Sequence, residues 1–84
     1  MKILDFYADW CGPCRIVSPI LDKLAEEKGI ELEKIDIDNA DNAELVSKFG
    51  VQSIPTIVLM DGDEEKARHI GAAPQEKIAS SLGL

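Results

Sequence analysis

The chain has 84 residues, 45% of them hydrophobic and 30% charged, with six glycines and four prolines. That is enough for one domain, residues 1–84, with a thin core, and it excludes collagen-like repeats and a disordered chain. The net charge of −7 speaks against nucleic acid as a partner, and no apolar run approaches the length of a membrane span.

Residues 2–8, KILDFYA, predict a strand covered on both faces, because only Asp5 breaks the apolar run. No basic leader precedes this run, so no secretory signal is expected. Pro13 suits the first turn of a helix, where its missing N–H is no loss. Ile16, Val17, Ile20, Leu21 and Leu24 then form one apolar helical face. Pro19 falls inside that face and should kink the helix without ending it, and Gly29 should end it. Residues 31–37 predict a second strand and Asn39–Asn42 a polar turn. Ala43, Leu45, Val46 and Phe49 suggest a short helix closed by Gly50. Residues 56–60 form a strand directly after Pro55, Asp61-Gly62-Asp63 a hairpin turn, and residues 65–70 a returning edge strand. A last helix follows Pro74. The order β-α-β-α-β-β-α predicts an α/β fold: a four-stranded mixed sheet with helices on both faces.

The only cysteines are Cys11 and Cys14. A disulfide across so short a loop removes little unfolded-state entropy, so stapling explains the pair poorly. Structural zinc wants four ligands, and the one histidine, His69, lies far along the chain, so no metal is expected. Redox exchange remains. Cys11 at a helix N-terminus should have a depressed thiol pKa and attack a disulfide, while Cys14, one turn deeper, should be more shielded and resolve the mixed disulfide.

Asp5 is the next informative residue. A carboxyl buried in this strand should have a raised pKa and could take the Cys14 proton through water; the other reading is that Asp5 points to solvent on a half-exposed strand. Lys34 on the neighbouring strand could moderate its charge; otherwise it is a solvated surface lysine. A cis Ile54–Pro55 bond would leave backbone groups free for an extended substrate, although cis bonds are only about 5–6% of X–Pro bonds in general. Trp10 is read as an exposed apolar contact beside Cys11, or as a cap on the sheet edge. His69 is read as an edge-strand surface residue.

Together, Trp10-Cys11-Gly12-Pro13-Cys14, preceded by Asp5-Phe6-Tyr7-Ala8 and followed by Ile54-Pro55-Thr56, resemble the thioredoxin family over essentially the whole chain. The WCGPC run is highly specific. The resemblance implies a thioredoxin-like fold and protein disulfide reduction through a Cys11–Cys14 redox disulfide. It implies Cys11 as attacking thiolate, Cys14 as resolving thiol, Asp5 as the buried acid and Lys34 as the lysine near it. Pro55 corresponds to the family's cis-proline and Pro19 to its helix proline. Trp10, Gly12, Pro13, Ile54, Gly71 and Ala72 match or flank groove-lining positions.

No cofactor is expected to be bound. Electrons would come indirectly from NADPH through a thioredoxin-reductase-like flavoenzyme, with glutathione as another donor. The expected partners are disulfide-containing client proteins, with no nucleic acid or membrane, and the protein is expected to be a cytoplasmic monomer. Met1 stands so close to the first strand that a shortened member, without the usual N-terminal strand and helix, is expected. Tyr7 stands where a tryptophan is common. Two other readings stay open: a glutaredoxin-like, oxidase- or isomerase-type oxidoreductase, and a binding module without redox turnover. Replacing both cysteines by serine would separate the last from the others, since binding would persist without reduction.

Overall fold

The computed structural model describes residues 1–84. Strand β1, Lys2–Tyr7, leads into helix α1, Gly12–Lys28, and back to β2, Glu31–Asp36. A 3-10 turn at Ala40–Asn42 runs into α2, Ala43–Lys48; then come β3, Thr56–Asp61, β4, Glu64–Ile70, and α3, Gln75–Ser81. The sheet order is β2-β1-β3-β4, with β1 parallel to β2 and antiparallel to β3, and β3 antiparallel to β4. This is the expected four-stranded mixed sheet of a thioredoxin-like fold.

The alternation of the central strands builds two cores. Ile3, Ile57 and Leu59 face Val17, Leu21 and Leu24 of α1 and Ile78 of α3. Leu4, Phe6, Val58 and Met60 face the other way, with Ile35 from β2, and meet Leu45, Val46 and Phe49 from α2 and its end. The radius of gyration, 11.7 Å, is near the ~12 Å of a well-packed chain this long. No helix is long and apolar enough to cross a membrane.

Helix α1 carries its own start and stop. Cys11 is the N-cap, with extended backbone and a sulfur that accepts the Cys14 N–H. Pro19 does not end the helix, which runs on to Lys28. At its end Gly29 has φ 63°, with its N–H donating to the Glu26 carbonyl while that of Ile30 donates to Ala25. This is a left-handed cap that a side chain strains. A Cβ at Gly29 would touch nothing within 4 Å, so only backbone strain opposes one. Gly29→Ala should therefore cost about 1 kcal/mol, read from the urea midpoint.

Two local expectations gain detail and one is corrected. Asn39–Asn42 is a polar turn of 3-10 form, in which the Asn39 side chain accepts the Asp41 N–H. As expected, α2 ends at Phe49 and Gly50: Phe49 is its C-cap and Gly50 follows at φ 59°, and Arg68 of β4 donates to the Phe49 carbonyl at 2.8 Å, tying the helix to the sheet. His69 is not a freely exposed edge residue. It is paired with Ile57, is half-buried, and its Nε2 is enclosed without a hydrogen-bond partner.

Candidate active site

The loop after β1 delivers Cys11 to the start of α1, and Cys14 follows one turn on. The two are joined in a disulfide with Cα atoms 5.3 Å apart. The Cys14 N–H points at Cys11 Sγ from 3.2 Å, the place a capping oxygen would take. The helix dipole and its unpaired amides thus converge on Cys11. The expected difference in shielding does not appear in this oxidised form, since Cys11 and Cys14 are 5% and 3% exposed. The cysteines pack with Ala8 against Tyr7, Ile37 and Ile54, and the Ile54 carbonyl oxygen lies 4.0 Å from the Cys11 sulfur on the loop that carries the cis Ile54–Pro55 bond. Thr56 Oγ1 donates to the Ser53 carbonyl at 2.6 Å and pins that loop. The Gly71 N–H donates to the Pro55 carbonyl at 2.9 Å, so Gly71 borders the same loop with φ 95°.

Trp10 is 66% exposed beside Cys11, and its indole N–H donates to Asp38 Oδ2 at 2.8 Å. It is therefore oriented from the turn after β2, not free at the rim. Gly12, Pro13 and Ala72 are exposed, and no recorded hydrogen bond joins Ala72 to the cysteines.

Behind the disulfide a recess of about 310 Å³ opens. Asp5 and Tyr7 of β1 line it, with Ala8 and Asp9 beyond them, Cys14, Arg15 and Ser18 of α1, and Lys34 of β2. Asp5 and Cys14 thus share one cavity. Asp5 is 1% exposed and its Oδ1 has no hydrogen-bond partner. Burial raises its pKa from 3.8 to about 6, with Lys34 pulling it down and Asp22 pushing it up. Lys34 is opposite Asp5 in the strand register, yet its Nζ donates to Ser18 Oγ at 2.7 Å and lies 3.0 Å from Asp22 Oδ1. It acts on Asp5 through the field alone.

Sequence reasoning missed Ser18, Asp22 and Asp38. Cys14, Ser18 and Asp22 recur every fourth residue, and that polar stripe on one helical face was a usable signal. Nothing local marked Asp38 as the partner of Trp10.

With this geometry in place, similarity to known proteins becomes decisive. The profile of the family described as Thioredoxin matches residues 1–83. The chain belongs to the thioredoxin family.

Among its relatives, the thioredoxin of Pyropia yezoensis is 40% identical over 80 residues, covering 95% of this chain and 75% of that protein. The thioredoxin of Listeria monocytogenes is 41% identical over 78 residues, covering 93% and 76%. Thioredoxin 1 of the thermophilic eubacterium Thermosipho africanus has the same fold, with a TM-score of 0.85 at 24% identity, over 99% of this chain and 91% of that one. A solved structure described as that of a malarial protein matches with a TM-score of 0.82 at 33% identity, over 98% and 92%.

These matches correct the expectation of a shortened member. The family match runs over residues 1–83, the chain spans 91% of the Thermosipho thioredoxin, and an opening strand and helix, β1 and α1, are in place. Counting residues ahead of the cysteines misled because a fold is defined by its sheet and the helices packed on it. As a thioredoxin-family member with a Cys11–Cys14 disulfide, the protein is a thiol-disulfide oxidoreductase.

Proposed function

We propose that the protein works in the reducing direction, as a disulfide reductase of client proteins. The observation that carries this reading is Cys11 Sγ at the N-cap of α1, with the Ile54 carbonyl above it and the recess holding Asp5 behind Cys14. In the reduced dithiol the helix N-terminus stabilises the Cys11 thiolate. That thiolate attacks one sulfur of a client disulfide, forms a Cys11–client bond and expels the other client sulfur as thiolate. Cys14 then loses its proton to Asp5, directly or through water, and attacks Cys11 Sγ. The second client thiolate leaves, and Cys11–Cys14 closes. Two electrons have passed to the client, whose thiolates end protonated.

Trp10, Gly12, Pro13, Ile54, Pro55, Gly71 and Ala72 form the client-facing rim in this reading. The backbone beside Pro55 pairs with an extended client segment in the manner of strand addition. Lys34 tunes Asp5. Electrons return from NADPH through a flavoenzyme reductase, or from glutathione. A monomer in a reducing compartment such as the cytoplasm suits a pair that must be recharged as a dithiol.

The test pairs a trap with a potential. Cys14→Ser should accumulate a Cys11–client mixed disulfide visible on a non-reducing gel, and Cys11→Ser should not. The potential of the pair should lie near about −270 mV, the general figure for thioredoxins and not one obtained from this geometry. A potential above about −200 mV would overturn the reductase reading in favour of an oxidising or glutaredoxin-like role.

A further inference from the structure

The mechanism above leaves Ser18 and Asp22 without a task. β2 runs beside β1 at the usual spacing of about 4.8 Å, with Lys34 directly opposite Asp5. Both side chains line the recess under α1. A lysine so placed is the natural counter-ion of a buried carboxylate. Yet Asp5 Oδ1 has no hydrogen-bond partner, and Lys34 Nζ is taken by Ser18 Oγ at 2.7 Å and Asp22 Oδ1 at 3.0 Å. Ser18 and Asp22 follow Cys14 at successive four-residue steps along the same helix, so the helix that carries the resolving cysteine also holds the lysine off the acid.

We propose that Ser18, together with Asp22, is a positioning residue that anchors Lys34 away from Asp5 and so leaves the Asp5 carboxyl free to exchange a proton with Cys14. This rests on Asp5 being the proton acceptor of the reductase reading. An ammonium paired directly with Asp5 would stabilise the carboxylate and make it a weaker base. A lysine tethered at the mouth of the recess acts only through its field, and part of that field is cancelled by Asp22. The other ionisable groups lining the recess are Tyr7, Asp9 and Arg15, and none of them is hydrogen-bonded to Asp5. From β3 the residue opposite Asp5 is the apolar Ile57, so no counter-ion comes from that side.

The Asp5 carboxyl would be titrated by carbon-13 NMR in the oxidised full chain, for the wild type, Ser18→Ala, Lys34→Met and the double variant. The pH profile of single-turnover insulin reduction would be measured alongside. Ser18→Ala should lower the Asp5 midpoint by about one pH unit, the low end of what an opposite charge within reach does to a carboxyl. The matching limb of the reduction profile should move the same way. In the Lys34→Met background the same change should do nothing, and Ser18→Thr, which keeps a hydroxyl, should titrate as the wild type.

A Ser18→Ala midpoint equal to the wild type would overturn the inference. So would an equal shift with Lys34 absent, because the effect would then be local distortion and not a released lysine. If the wild-type reduction rate ignored the Asp5 midpoint, the proton role of Asp5 would fall instead, and the carboxyl titrations would still decide whether the tether exists.

Discussion

Asp5→Asn should stabilise the oxidised protein by about 2–3 kcal/mol at pH 7 and slow its reduction of clients. The carboxyl is buried, has an unpartnered oxygen, and has its pKa raised from 3.8 to about 6. An acid whose folded pKa lies above its unfolded value binds its proton more tightly in the folded state. Its contribution to stability is therefore complete below about pH 4 and is lost as pH rises through about 6. The gap of roughly two pKa units corresponds to about 3 kcal/mol lost by pH 7. Asparagine stays neutral and escapes this loss, less whatever its unpaired amide hydrogens cost.

Urea unfolding at pH 4 and pH 7 checks the sign. The variant's advantage should be present at pH 7 and nearly absent at pH 4. The reduction rate should fall because the amide cannot accept the Cys14 proton. A variant less stable than wild type at pH 7, with unchanged reduction, would mean that Asp5 is neither strained by burial nor used in exchange.

Phe6→Ala is expected to be the most damaging core change, costing about 3–5 kcal/mol. Phe6 is 0% exposed, and its ring meets that of Phe49 at a centroid distance of 5.6 Å. It fills the smaller of the two cores, with Leu4, Ile35, Val58 and Met60 around it. Few neighbours are available to close the cavity there, and domains this small hold only a few to about 12 kcal/mol in total. Thermal unfolding followed by circular dichroism should show a large fall in Tm. Because Phe6 points to the face opposite Asp5, reduction per folded molecule should be unchanged below the transition. A loss under about 1 kcal/mol would mean that the α2 face contributes little to stability.

Much of the fold was legible in the sequence because it is written in short-range patterns. Pro13 and Gly29 bracket α1, since the first needs no amide partner and the second alone tolerates the left-handed cap. The near-continuous apolar run of β1 announced a strand between two layers. The WCGPC run with Ile54-Pro55-Thr56 carried the family, and the cis bond that the family implies is present. Asp5 stood out because a carboxyl has no cheap place in such a strand.

What stayed illegible depended on which partner wins in space. Lys34 could be placed near Asp5 from the strand order, but its choice of Ser18 and Asp22 depends on contacts of about 3 Å between a strand and a helix. The indole of Trp10 could be read as exposed, but not as bonded to Asp38 across the loop. His69 looked like a surface residue until its register opposite Ile57 turned it toward the helices. Thus the sequence by itself determined the elements, the reactive pair and the buried acid, because backbone geometry and burial act over a few neighbouring residues. Only the tertiary structure decided the neighbours of each charge and the near-equal burial of the two cysteines. Those depend on register and on competition among groups brought together from distant parts of the chain.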